Sequence, residues 1–165
     1  MRAVVYSSAL LVYLYEDDPH AEAAVKALET TYREGKLLIN SVVYAELAGE
    51  EGFAGAEEID RFLNETGIDV ESPSHAAMAA AGDAFTEYLS RRGDALQCPA
   101  CGEQTTASCP ECGRRLAPRQ HLSPDFLIGA HAAVDADVLI TFDAGFYRSY
   151  FDVDVRPSTE SSESE

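Results

Sequence analysis

Five short apolar runs recur along the chain: Arg2-Ala3-Val4-Val5, Leu37-Leu38-Ile39, Ile68-Asp69-Val70, Val138-Leu139-Ile140-Thr141 and Val153-Asp154-Val155. Stretches with helical spacing separate them. Apolar runs of this length read as strands buried on both faces. With helices between them, neighbouring strands pair through crossovers rather than tight hairpins. The pattern predicts an α/β fold, a doubly wound parallel sheet with helices on both faces.

The punctuation of the helices supports this order. Ser7-Ser8 caps a helix through Ala9-Leu10-Leu11 to Leu14, and 19–33 returns to helical spacing through Ala23, Ala24, Leu28 and Thr31 before Gly35 ends it. Asn40-Ser41 caps a helix over 42–49, and 56–65 runs up to Gly67. Pro73 starts a long helix to about Arg92, with Met78, Gly82, Phe85 and Leu89 expected on one side. Ser123-Pro124 is a further start, a hydroxyl N-cap followed by proline at the first helical position. Leu127, Ile128, Ala130 and Val134 give that helix an apolar stripe, and a short helical turn is expected around Tyr147. From Ser158 the tail reads STESSESE, with nothing apolar to bury, and 158–165 is expected to be disordered.

A length of 165 residues bounds one domain with one core, placed at 1–157. No apolar run is long enough to span a membrane, and the start lacks the charged and apolar regions of a signal peptide, so a cytoplasmic location is expected. The charge is unusual: 29 Asp plus Glu face 12 Lys plus Arg, a formal net charge of −17. A folded domain with this excess repels itself unless salt screens it, and the Debye length falls to ~3 Å at 1 M. A halophilic, high-salt setting is the expectation.

Three acids stand where chemistry can be built. Asp143 lies just past the fourth apolar run, and the end of a strand is where open α/β sheets keep their sites. Asp125 falls in the first turn of its helix, where it also favours the positive helix end. Glu46 sits three residues after Val43 and four after Val42, on an apolar stripe where a carboxylate is costly unless something positive meets it. Alone, each reads equally as a solvated helix acid or a turn aspartate. Together they form a set of hard oxygen donors suited to Mg²⁺ or Mn²⁺.

The segments AVVYSSALL, SVVYAEL with Glu46, PDFLIGAHA with Asp125 and LITFDAGF with Asp143 resemble the PIN-domain ribonucleases, especially the VapC-type toxins. The resemblance covers residues 2 to about 155, apart from a cysteine-bearing segment. It implies a PIN-like sheet of order 3-2-1-4-5. It also implies a Mg²⁺- or Mn²⁺-dependent endoribonuclease in which Glu46, Asp125 and Asp143 hold the ion and serve catalysis. The enzyme would be either the toxin of a toxin–antitoxin pair or an RNA-processing nuclease. RNA, an antitoxin protein and a second copy of the chain are the implied partners. One position departs: the first-strand motif normally carries Asp where this chain has Tyr6. A phenol with a pKa near ~10 stays neutral at pH 7 and is a poor ligand for a hard cation. The departure opens the alternative of a catalytically inactive PIN-like module that binds RNA or protein.

Residues 96–118 interrupt the pattern and hold all four cysteines, as Cys98-Pro-Ala-Cys101-Gly and Cys109-Pro-Glu-Cys112-Gly. Two such knuckles can turn four thiolates toward one tetrahedral ion, a zinc ribbon, with Zn²⁺ expected and iron the rival for the same ligand set. An electron carrier of the rubredoxin type is the third function class this leaves. Arg114, Arg115 and Arg119 follow the second knuckle and Arg91-Arg92 precede the first, a local cationic segment that could guide RNA phosphates or simply pair with neighbouring acids. His20, His75, His121 and His131 show no metal-binding spacing and are expected to be structural. Tyr147, Tyr150 and Phe151 fit core packing better than base stacking.

The charge makes a direct prediction. The melting temperature should rise as KCl is taken from low to molar concentration, followed by circular dichroism; a melting point flat or falling with salt would count against the halophilic reading.

Overall fold

The computed structural model describes residues 1–14, 18–93, 95–97, 103–116 and 121–157. Strand β1 (Arg2–Val5) leads into helix α1 (Ser7–Leu14), and α2 (Ala21–Glu34) returns the chain to β2 (Lys36–Ile39). Helices α3 (Ser41–Leu47) and α4 (Ala56–Thr66) precede β3 (Ile68–Val70), and the long α5 (His75–Arg92) follows. After the short strands β4 (Leu96–Gln97) and β5 (Gln104–Thr105) come α6 (Pro124–Asp135), β6 (Val138–Ile140), α7 (Ala144–Tyr150) and β7 (Asp154–Arg156).

Five strands form one parallel sheet in the order β3-β2-β1-β6-β7, the arrangement expected from the sequence. β1 is central: Ala3 lies beside Leu37 on one side and Val138 on the other. Ala3, Val4, Val5, Leu38, Ile39, Leu139 and Ile140 are sealed from solvent, as a sheet covered on both faces requires.

Several boundaries and faces differ from the sequence reading. Helix α1 begins at Ser7, not after it: the Tyr6 carbonyl accepts from the N–H groups of Ala9 (3.1 Å) and Leu10 (3.4 Å), and Ser7 is buried. Helix α5 starts at His75, where the Ser74 hydroxyl accepts from the Ala77 N–H. Its buried stripe is Ala77, Ala81 and Ala84, while Met78 is 44 % exposed. Small alanines let α5 lie close against α6, and that contact outweighs burial of the larger methionine. On α6, Val134 is likewise exposed, and Phe126, Ile128, Ala130 and His131 are inside. β7 is one residue later than the apolar run suggests. The cysteine segment, which interrupts the strand–helix alternation, contains the antiparallel pair β4–β5 and a bridge between Ser108 and Arg115. The tail 158–165 lies outside the described residues. Among those described, no helix is long and apolar enough to cross a membrane.

Gly129 fixes how closely α6 meets the α7 region. A Cβ there would stand 2.4 Å from Phe151 Cε2 and 2.9 Å from Tyr147 Cδ1. Gly129→Ala should therefore destabilise the chain, by about 1–3 kcal/mol as overpacked cores do; chemical denaturation reads the difference, and unchanged stability would mean that these two elements separate freely.

Candidate functional site

In a parallel sheet the C-terminal ends of neighbouring strands share one edge. β2, β1 and β6 are neighbours, so the residues that leave them gather there: Asn40, Tyr6 and Thr141. α6 runs back across the sheet before entering β6, which places its N-terminal turn, and Asp125, at the same edge.

Each element is held locally. Asn40 Oδ1 accepts from the N–H groups of Val42 (3.0 Å) and Val43 (3.1 Å), the N-cap that aims α3 and with it Glu46. The Tyr6 N–H donates to the Ile140 carbonyl at 2.9 Å, extending the β1–β6 ladder by one residue. The Asp143 N–H donates to Thr141 Oγ1 at 3.1 Å, which sets the turn into α7. Ser123 begins α6 as expected, but its hydroxyl does not cap the helix: it donates to Asp125 Oδ2 at 2.7 Å. The other Asp125 oxygen, Oδ1, accepts from the Tyr6 hydroxyl at 2.9 Å. Asp125 is thus held on both oxygens by neutral O–H donors.

Tyr6 and Tyr147 report how the acids are disposed. Burial raises the pKa of the Tyr6 phenol well above the usual tyrosine range, and the hydrogen bond and charge of Asp125 and the charge of Glu46 raise it further. Tyr147 is fully buried, its hydroxyl has no hydrogen-bond partner among the described residues, and its ring edge faces Tyr6 at 5.8 Å. Burial also drives its pKa up, reinforced by the charges of Asp125, Asp143 and Glu46. All three acids therefore act on one buried phenol. Yet among the described residues no three Asp, Glu, His or Cys side chains stand close enough to hold one metal ion.

The donor set fits a hard divalent cation in kind. Glu46 is half-buried, and its Oε2 is buried without a hydrogen-bond partner among the described residues. A carboxylate oxygen stripped of water in this way calls for a positive partner. Asp143 is exposed at the rim. Tyr6 is what departs from such a site: its O–H engages Asp125 where a further acid would face the ion.

Sequence reasoning named Glu46, Asp125 and Asp143 as candidates and singled out Tyr6. It missed Ser123 as the second clamp on Asp125 and Tyr147 as the buried centre. The Tyr147 role has no signal in local spacing, because it depends on contacts between elements, whereas the Ser123 clamp lies two residues from Asp125 in the same turn and was read as a helix cap instead.

Of the cysteines, Cys109 and Cys112 lie within the described residues, and Cys98 and Cys101 do not, nor does Arg119. Around Cys109 the chain forms a closed knuckle: the Cys109 N–H donates to the Arg114 carbonyl and the Gly113 N–H to the Cys109 carbonyl, both at 2.8 Å. Gly113 takes the left-handed φ of +67° that this turn needs. The backbone N–H groups of Cys112 and Glu111 point at the Cys109 sulfur and lower its pKa below the ordinary thiol range. Arg114 and Arg115 are exposed beside it. His131, expected to be structural, is fully buried, and desolvation lowers its pKa.

No protein-family profile matches the sequence, and no curated protein matches it. Solved structures do. The chain is similar to one in the VapBC2 complex of Rickettsia felis bound to a DNA fragment from its promoter, at 16% identity and a TM-score of 0.60, over 94% of this chain and 97% of that one. A chain of VapBC-1 from nontypeable Haemophilus influenzae is similar at 19% identity and a TM-score of 0.55, again over 94% of this chain and 97% of that one. The protein has the fold of the VapC-type PIN domains.

Proposed function

We propose that the protein is a PIN-type endoribonuclease of the VapC kind, in which Glu46, Asp125 and Asp143 would hold Mg²⁺ or Mn²⁺ and Tyr6 limits the activity. The observation that carries the reading is the partnerless buried oxygen of Glu46, on the helix that opens at the C-terminal edge of a VapC-like sheet. A bound ion would acidify a water and offset charge developing on the scissile phosphate of RNA. The chain's own residues do the positioning. Ser123 and Tyr6 orient Asp125, Asn40 sets the helix that carries Glu46, and Thr141 fixes the turn at Asp143.

A second reading, a catalytically silent PIN-like module that binds RNA or protein, is favoured by the Tyr6–Asp125 hydrogen bond, because a neutral donor there competes with an ion for Asp125. RNA cleavage with Mn²⁺ separates the two. Tyr6→Asp should raise cleavage by orders of magnitude over the unchanged chain. Equal activity would remove the role given to Tyr6, and a Tyr6→Asp chain without activity would leave the binding module. Cleavage that survives alanine at Glu46, Asp125 and Asp143 would remove the acid-site mechanism altogether.

An antitoxin partner fits an apolar groove of about 700 Å³ between α1, α2 and α4, lined by Leu10, Tyr13, Val25, Leu28, Tyr32 and Phe62. The similar VapBC structures are themselves named as such pairs. A homodimer and a cytoplasmic location belong to the same reading, as does the division into a PIN-like domain over 1–157 with a zinc-ribbon insertion over 96–118.

We assign one Zn²⁺ to Cys98, Cys101, Cys109 and Cys112. The amides aimed at the Cys109 sulfur support this, since they favour its thiolate, the form that ligates metal. Metal analysis of the purified chain should give one zinc per molecule and a colourless solution; a red, iron-containing protein would reassign the site.

A further inference from the structure

The three acids sit in a chain of net charge −17, so RNA phosphates approaching them meet repulsion unless cations lie close by. Two adjacent arginines meet that need. α5 and α6 pack together along their lengths in opposite directions, so the last turn of α5, with Arg91 and Arg92, comes beside the first turn of α6, with Asp125. The Arg91 guanidinium lies over the Tyr150 ring, 5.5 Å from its centre, and the Arg92 guanidinium over the Tyr88 ring at 5.6 Å. Tyr88 and Tyr150 meet edge to face at 6.0 Å. Both rings stand 5.6 Å from Phe126, the residue after Asp125. The four side chains form one ledge against Phe126, the chain neighbour of Asp125.

We infer that Arg91, Arg92, Tyr88 and Tyr150 form a subsite that holds single-stranded RNA beside Asp125, with each guanidinium over a tyrosine ring. The inference rests on the ribonuclease reading and gives it a place where the strand is held. A tyrosine ring beneath a guanidinium holds the cation in place without using its N–H groups. The outer side is left to an unpaired base, and the N–H groups that Glu87 does not take and that are not buried, as Arg92 Nε is, are left for phosphate. Arg91 also pairs with Glu87 on its own helix, yet its side chain remains 56% exposed. Bases within a duplex are already stacked, so the ledge selects single strands.

The test is fluorescence anisotropy of a labelled single-stranded oligoribonucleotide, without added Mg²⁺ or Mn²⁺, at several salt concentrations that keep the chain folded. Arg91→Ala/Arg92→Ala should weaken binding about tenfold and flatten the slope of log affinity against log salt by about 1, given roughly 0.7 for each phosphate that an arginine neutralises. Arg91→Lys/Arg92→Lys should keep the slope and still lose affinity, since lysine keeps charge without a stacking plane. Unchanged affinity and slope in the alanine pair, with its melting temperature intact, would overturn the ledge and leave the ribonuclease reading standing. Equal binding of duplex RNA would also overturn it. An unchanged chain that binds no RNA would overturn the ledge and the ribonuclease reading together.

Discussion

Everything at the site depends on β1 being buried in the middle of a parallel sheet. It pairs with β2 and β6 at once, through Ala3 and Val4 on both sides, and both pairings are parallel, so three strands end at a common edge. That edge receives Tyr6 directly, Glu46 through the helix capped by Asn40, and Asp143 through the turn held by Thr141. Asp125 comes from the opposite direction, because the helix before β6 must travel back across the sheet. The four positions span almost the whole chain, and topology rather than local sequence makes them neighbours.

This explains which parts of the structure could be read in advance. Strand runs buried on both faces leave a continuous apolar signature, and their order in the sheet followed from the alternation with helices and the resemblance of four segments to a known family. Helix faces were harder. On α5 the eye is drawn to Met78, but close packing against α6 selects Ala77, Ala81 and Ala84. Size, which hydrophobic periodicity ignores, decides that contact. Val134 fails in the same way: it continues the stripe in the sequence but lies beyond the surface that α5 and the sheet cover.

The site divides along the same line. Carboxylates announce themselves at the ends of elements, so Glu46, Asp125 and Asp143 were legible as candidates. What each one meets was not. Asp125 could be a helix-start acid or a ligand, and only the structure gives its clamps, Ser123 from its own turn and Tyr6 from across the sheet. The knuckle at Cys109 is the opposite case. Its donors and acceptors lie within a few residues, so the motif itself encodes the turn, the left-handed glycine and the amides aimed at sulfur.

The Tyr6–Asp125 hydrogen bond also bears on how the chain tolerates its own charge. An acid at position 6 would face Asp125 and Glu46 as a third anion in a confined space, and like charges so placed hold each other apart unless an ion or a proton intervenes. The phenol turns that repulsion into a hydrogen bond. One carboxylate of that edge is thereby held by neutral donors, in a chain of net charge −17. Position 6 therefore brings a hydrogen-bond donor rather than a further negative charge to the edge where the acids gather.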